Sequence, residues 1–407
     1  MSPTNLAQRM MRPAGRTARP MRRSLRIAAA FAVVAAVLLP LAFVFAQFWT
    51  STGDNLRFVN DERRGVAYLQ PLVRLLGTLT DAQSAATRGK PIDVAQLRAA
   101  VAAVDAVDQA QDDRLRTRQR WSQLRAQIEA ATARGTFTGE DAYATYSETN
   151  DLVLSLMAKI GDTSNLILDP ELDSYYLMDT ALLRLPQVLV DAGRLADLSA
   201  LLASTKSATG SAQLAVARDR VATTADTIDV GLRKSFSATS SKTLGPNLLG
   251  QLDAFRSAAN DLAPSSLLLR QSDTGLDPEA LASARAQLER ATLQMAGTTL
   301  AELDALLSVR GDHLDGQRTA ALVAFLIGAL AGAVVLWQRL PGPSVVAPAP
   351  TGADGAASPF DDTVDEDDEA FAVQDLVDAR ALLQSDELVR VGRAVRSNRR
   401  ERDDDSR

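Results

Sequence analysis

The sequence predicts an all-α protein: an elongated antiparallel helical bundle between two transmembrane helices, with a short, largely disordered cytoplasmic tail. Three observations carry this. Two uncharged, mostly apolar stretches stand about 270 residues apart. The residues between them repeat apolar side chains at three- and four-residue steps, the helical period. No stretch alternates apolar and polar residues as a half-buried strand would.

Residues 1–26 carry seven arginines and no acid, a basic cytoplasmic N-terminus by composition. Residues 27–46, IAAAFAVVAAVLLPLAFVFA, form the first predicted transmembrane helix. At 1.5 Å rise per residue, twenty residues span about 30 Å, the thickness of a bilayer's hydrocarbon core. Residues 319–337, TAALVAFLIGALAGAVVLW, form the second. Six arginines in the fifteen positions before the first segment place the N-terminus in the cytoplasm by the positive-inside rule. Two crossings return the C-terminus there and leave residues 47–318 outside the plasma or inner membrane. Trp49 and Trp337 sit where amphipathic aromatics favour the interface. Gly328 and Gly332 make a GxxxG step that suits close packing of two helices, although so alanine-rich a segment produces such spacing by chance as well.

Between the crossings, breakers at Gly89-Pro91, Gly135-Gly139, Asp169-Pro170, Gly210, Gly245-Pro246 and Pro264–Pro278 divide the chain. The implied helices cover roughly 50–86, 93–134, 139–167, 170–205, 209–240, 247–263 and 276–338. The second is expected as one rod about 60 Å long, begun by Asp93 and carrying Trp121, Leu124 and Ile128 on its apolar face. The last is expected to continue from the bundle into the second apolar segment.

The most unusual stretch is NLILDPELDSYYLMDTALLRLP, residues 165–186. Asp169-Pro170-Glu171 reads as a helix start: a capping acceptor, a proline whose missing N–H costs nothing there, and an acid in the first turn. Beyond it, Leu172, Tyr176, Asp179, Leu183 and Pro186 share a stripe, which puts the Asp179 carboxylate on the face expected to be buried. Tyr175, one turn earlier, is the expected donor to it. Asp173 and Arg184 share a second face, and Asn150 interrupts the apolar stripe of the preceding helix. Tyr175, Tyr176, Asp173, Asp179, Arg184 and Asn150 are therefore the candidate ligand-binding residues, polar groups and aromatics gathered at a helix that Pro186 should kink. Mutual satisfaction of these groups inside the bundle accounts for them as well, and the residues alone favour it, since interior polar clusters are commoner than binding sites.

Residues 162–195, DTSNLILDPELDSYYLMDTALLRLPQVLVDAGRL, resemble the signature segment of the helical extracytoplasmic sensing domain of methyl-accepting chemotaxis receptors and related bacterial sensors. ERRGVAYLQPLVRLL at 62–76 and RWSQL at 120–124 echo it more weakly. The resemblance implies that residues 47–318 form a dimeric helical module that binds a small molecule and transmits a shift through the second crossing.

The tail, 338–407, has 16 acids against 9 arginines. Residues 341–369 are a Pro- and Ala-rich linker followed by an acidic block, expected to be disordered, and 370–402 read as amphipathic helices suited to a membrane surface or a partner. The tail holds no histidine and is too short for a methylated hairpin, so the expected protein is a sensor that signals to a separate cytoplasmic protein in trans. A scaffold with a bundle that binds nothing is the alternative. With no cysteine and one histidine, His313, neither a thiolate metal site nor a His-dependent triad is available, so no cofactor, metal or catalytic residue is expected and the chain is not read as an enzyme. The basic stretch beside an apolar segment, without interleaved aromatics, speaks for the lipid bilayer and against nucleic acid.

Overall fold

A computed structural model describes residues 19–111, 114–133, 137–203, 208–264 and 277–339. The remaining residues, including the linker, acidic block and tail helices expected after 340, lie outside the described set. The described residues are helical apart from short turns and connections, and contain no strand.

Among the described residues nine α-helices follow in order: α1 Arg19–Thr87, α2 Val94–Ala110, α3 Arg118–Ala133, α4 Gly139–Thr163, α5 Leu172–Met178, α6 Leu185–Leu202, α7 Ala208–Ala238, α8 Leu244–Leu262 and α9 Pro278–Arg339. A 3₁₀ turn, Leu166–Leu168, precedes α5, and a π-helical turn, Asp179–Arg184, joins α5 to α6. α1 and α9 contain 69 and 62 residues, each about 100 Å of helix, and each includes one of the two apolar segments. Both helices are long and apolar enough to cross a membrane. Their apolar residues face outward: Val33, Val37, Leu39 and Phe43 on α1 and Leu326, Ile327 and Leu330 on α9 are all exposed. So extensive an apolar surface is costly in water and at home in hydrocarbon.

α1 and α9 run antiparallel in a constant register. Phe45 stacks on Phe325 with ring centroids 4.4 Å apart, Arg318 lies 3.8 Å above the Trp49 ring, and Arg63 pairs with Asp304. Gly328 and Gly332 face Leu41 and Leu38 of α1, so close that a Cβ at Gly328 would stand 3.3 Å from the Leu41 side chain. The GxxxG step thus serves a helix contact within the chain.

Outside the apolar segments α1 is the central element. α4 packs antiparallel against it, and α6 runs parallel to it, with Gly193 over Thr80 and Asp197 over Ser84. α7 returns along α5 and α6, and α8 pairs antiparallel with α9 through Asn247 and Gln251, which reach Glu302 and Thr298. Tyr68, Leu69, Leu72, Leu75, Leu76 and Leu79 of α1 are buried among Tyr146, Met157, Leu195, Phe255, Leu288 and Met295. The close approach of α1 to α4 depends on Gly65: a Cβ there would lie 2.4 Å from Ser164 Oγ and 2.7 Å from Leu166 Cδ1.

The single rod expected over 93–134 is two helices. α2 ends at Ala110, and Arg116 takes left-handed backbone angles, φ 50°. The break lets the second helix fold back on the first. Asp108, buried, accepts from Tyr68 Oη and Thr117 Oγ1, both at 2.8 Å, and Asp105 accepts from Trp121 Nε1 at 2.7 Å. The bonds from Thr117 and Trp121 form across the break and offset the lost helical turn, since hydrogen bonds to charged groups contribute about 1.5–3 kcal/mol each.

Gly65→Ala should lower the stability of the bundle by about 1–3 kcal/mol through overpacking against Ser164. Gly250→Ala, where an added Cβ meets nothing within 4 Å, should leave it unchanged or raise it. Thermal melts of the two variants beside the native chain check the pair.

Candidate functional site

The segment 165–186 is anchored by α9. Arg310 Nη2 reaches Asp169 Oδ1 at 3.0 Å, Ser174 Oγ at 3.0 Å and Glu171 Oε2 at 2.9 Å, and its Nη1 stands 3.5 Å from Glu62 Oε2 of α1. One guanidinium therefore ties the Asp-Pro turn to both long helices. The local sequence explains the turn: Asn165 adopts left-handed angles between α4 and the 3₁₀ turn, and Asp169 Oδ1 accepts from the Glu171 amide at 3.0 Å, so the expected helix start at Asp169-Pro170 is a side-chain-closed turn and α5 begins two residues later, at Leu172, with Glu171 in the capping position.

Three acids face one arginine here, and burial decides how the charge is accommodated. Glu62 is fully buried, and its carboxyl is pushed up from 4.5 to about 8, first by burial and then by the charge of Asp169, against the opposing pull of Arg310. Glu62 is thus largely neutral at pH 7, leaving Asp169 as the buried anion beside Arg310 while Glu171, 56% exposed, is solvated. Glu62 Oε1, Asp169 Oδ2 and Arg310 Nε are buried and make no hydrogen bond.

Beyond the turn, the π-helical step resets the phase. Proline at 186 cannot donate to the carbonyl four residues earlier and crowds it, and the wider turn just before it accommodates both effects. A π turn brings residues five apart together, so Arg184 Nε pairs with Asp179 Oδ2 at 3.1 Å. Arg184, and not Tyr175, is the partner of Asp179, while Asp173 Oδ1 accepts from the Ser174 amide and its carbonyl accepts from Ser235 Oγ. The expected buried stripe is displaced as well. Ser174, Leu177, Met178, Ala181 and Leu182 are buried, whereas Leu172 and Leu183 are exposed. Tyr175 and Tyr176 meet edge to face at 5.5 Å, and Lys234 Nζ lies 5.3 Å from the centre of the Tyr176 ring. Gly231 of α7 lies against Tyr176, leaving 3.6 Å for an added Cβ.

Asn150 belongs to a different group. Its Nδ2 donates to Gln83 Oε1 at 2.9 Å, and Gln83 Nε2 donates to Asp197 Oδ2 at 3.0 Å. Asp197, fully buried, also accepts from Ser84 Oγ at 2.7 Å, and Arg88 stands 3.3 Å away. Burial raises the Asp197 carboxyl, and the bond from Ser84 opposes that. Nearby, Arg285 of α9 bridges Asp81 and Glu289, and burial likewise pushes Glu289 up to about 8. Glu62, Arg310, Gln83, Asp197 and Arg285 were not legible as site residues. Only the spacing of Arg285 and Glu289, four apart within an otherwise apolar row, could have flagged a buried pair.

The larger clefts lie elsewhere: one of about 600 Å³ between α8 and α9, and one of about 510 Å³ lined by Tyr143, Asp191, Arg194 and Arg220 among α4, α6 and α7. Among the described residues no group of three or more His, Cys, Asp or Glu is placed to hold a metal ion.

No family model and no curated protein matches the chain. A solved structure described as the NasR transcription antiterminator is similar over 74% of this chain and 83% of that one, at 17% identity and a TM-score of 0.45, a likeness too slight to carry an argument.

The raised Glu62 sets a pH dependence. Its folded value of about 8 exceeds the ordinary 4.5, so the neutral form stabilises the fold fully below pH 4.5, and this contribution is lost as pH rises to about 8. Glu62→Gln, neutral at every pH, should flatten the decline of melting temperature across that window, and adding Glu289→Gln should flatten it further.

Proposed function

We propose that this is a two-pass membrane receptor-like protein of the plasma or inner membrane, with both termini cytoplasmic and residues 47–318 outside. In this scheme a small solute meets the outer helical bundle, and the second crossing carries the resulting shift to a separate cytoplasmic signalling protein. The observation that favours it is mechanical: α9 runs without a break from the bundle core into the second apolar segment, and Arg310 clasps it to α1 and to the signature turn. A helix held in that way cannot move at the turn without moving in the membrane. The resemblance of residues 162–195, with the echoes at 62–76 and 120–124, supports the sensing role. The segments 62–76 and 162–195 meet in space: Glu62 shares Arg310 with Asp169, and Gly65 packs on Ser164.

One observation favours a scaffold instead. Tyr176 is packed by Gly231 and Lys234 of α7, and Arg184 already pairs with Asp179. Melting the purified full chain in detergent against a panel of amino acids, organic acids and amines separates the two. A sensor shows a saturable rise in melting temperature with at least one compound, because a ligand that prefers the folded state stabilises it by about 2.7 kcal/mol at a hundred times its dissociation constant. A scaffold melts at one temperature across the panel.

A further inference from the structure

Asp191 of α6 is 4% exposed, yet among the described residues it accepts one hydrogen bond, from Gln187 Nε2 to Oδ2 at 3.0 Å, and makes no ion pair. The other buried aspartates are met more fully. Asp108 accepts from Tyr68 and Thr117, Asp197 accepts from Gln83 and Ser84 with Arg88 beside it, and Asp169 faces Arg310. Burial raises the Asp191 carboxyl, and the bond from Gln187 and the charges of Arg194 and Arg220 oppose that. A carboxylate taken out of water with one oxygen lacking a donor is costly to the fold. That oxygen is within reach of a small molecule: Asp191 lines the cleft of about 510 Å³ among α4, α6 and α7, and its Oδ1 is not closed to solvent as Glu62 Oε1 and Asp169 Oδ2 are.

The rest of the lining defines the chemistry. Arg220 of α7 is exposed and has no ion-pair partner among the described residues. Arg194 of α6 uses only Nη2, on Asp151 Oδ1 at 2.7 Å and on the Ser147 carbonyl at 3.1 Å. With Asp151 set against Arg194, the cleft is left with one carboxylate and one guanidinium to offer. Leu198, Val216 and Ala217 add an apolar wall, on which Val216 stands 55% exposed. The volume lies within the range of about 300–1,000 Å³ usual for small-molecule sites. A simple acid entering here meets Asp191 as a like charge, and a simple amine meets Arg220, so each is disfavoured. A solute carrying both charges meets an opposite charge at each end.

We propose that this cleft binds a small zwitterionic amino acid, with its ammonium on Asp191, its carboxylate on Arg220 and its carbon chain against Leu198 and Val216. The ammonium supplies the donor that Asp191 Oδ1 lacks. This deepens the reading of a solute-binding bundle, on which it rests, and places the solute apart from the Tyr175–Tyr176 cluster.

The experiment uses thermal melts of the purified full chain in detergent and low-salt phosphate buffer, which holds neither amine nor carboxylate. The probes are leucine and γ-aminobutyrate, each beside the two molecules that keep only one of its charges: 3-methylbutylamine and 4-methylpentanoate, and propylamine and butyrate. At least one zwitterion should give a saturable rise in melting temperature that neither of its singly charged counterparts gives. Asp191→Asn and Arg220→Gln should each raise the half-saturating concentration by about tenfold or more, the worth of a hydrogen bond to a charged group. Asp179→Asn, outside the cleft, should leave it unchanged. Asp191→Asn keeps an oxygen for Gln187; should it nevertheless fail to fold, Arg220→Gln, at an exposed position, decides. The proposal is overturned if a singly charged counterpart matches its zwitterion, or if the response survives both cleft variants or is lost in Asp179→Asn. It is overturned as well if neither zwitterion raises the melting temperature. In that last case a rise with some other compound leaves the solute-binding bundle standing without this site, and no rise with any compound removes both.

Discussion

The Arg310 clasp is the constraint on which the rest of the arrangement depends. A single side chain of α9 holds Asp169, Glu171 and Ser174 of the signature turn and stands against Glu62 of α1, partners 136 to 248 residues away in sequence. The site tolerates three carboxylates because they are not all charged. Glu62 keeps its proton near neutrality, Glu171 reaches water, and only Asp169 is left as a buried anion opposite the guanidinium. Removing Arg310 would strand that anion, a loss of about 3–5 kcal/mol for a broken buried pair.

From this point outward, contacts between the two long helices follow one register. Toward the apolar segments these are Val59 against Gly311, Trp49 under Arg318, Phe45 on Phe325 and Leu38 beside Gly332. Deeper in the bundle they are Arg63 with Asp304 and Asp81 with Arg285. Apolar packing alone would allow two such helices to slide. The buried contacts of Arg310 with Asp169 and Glu62 do not, because any slip leaves a carboxylate or guanidinium without its partner. The group around Asp197 has the same effect on α4 and α6, which it ties to α1 through Asn150, Gln83, Ser84 and Arg88.

Much of this was legible in the sequence. Helical periodicity located the helices, two uncharged stretches marked the apolar segments, and Asp169-Pro170 marked a capped turn. The local signals stopped where distant groups decided the outcome. The 93–134 rod breaks where Asp108 and Asp105 collect donors from Thr117 and Trp121 across the break, a gain invisible to periodicity. The buried face after Asp169 was assigned with a constant helical phase, which the π turn before Pro186 shifts so that Leu183 faces outward and Arg184 meets Asp179. Asn150 was correctly singled out as a buried polar interruption, but nothing local could tell that its partner was Gln83. Arg310 looked like one charge among many on a long helix, and only the fold makes it the joint.

If the clasp sets the alignment of α1 and α9, its loss must be felt at a distance, among residues it does not touch. The cysteine-free chain allows this to be measured through the oxidative cross-linking rate of Phe45→Cys with Phe325→Cys, placed where the two rings now stack. Adding Arg310→Met should change that rate severalfold while helix content is retained, and adding Arg63→Met, which breaks a half-exposed pair, should barely alter it. Equal rates with and without Arg310 would contradict the account, for the two helices would then hold their register independently of the turn.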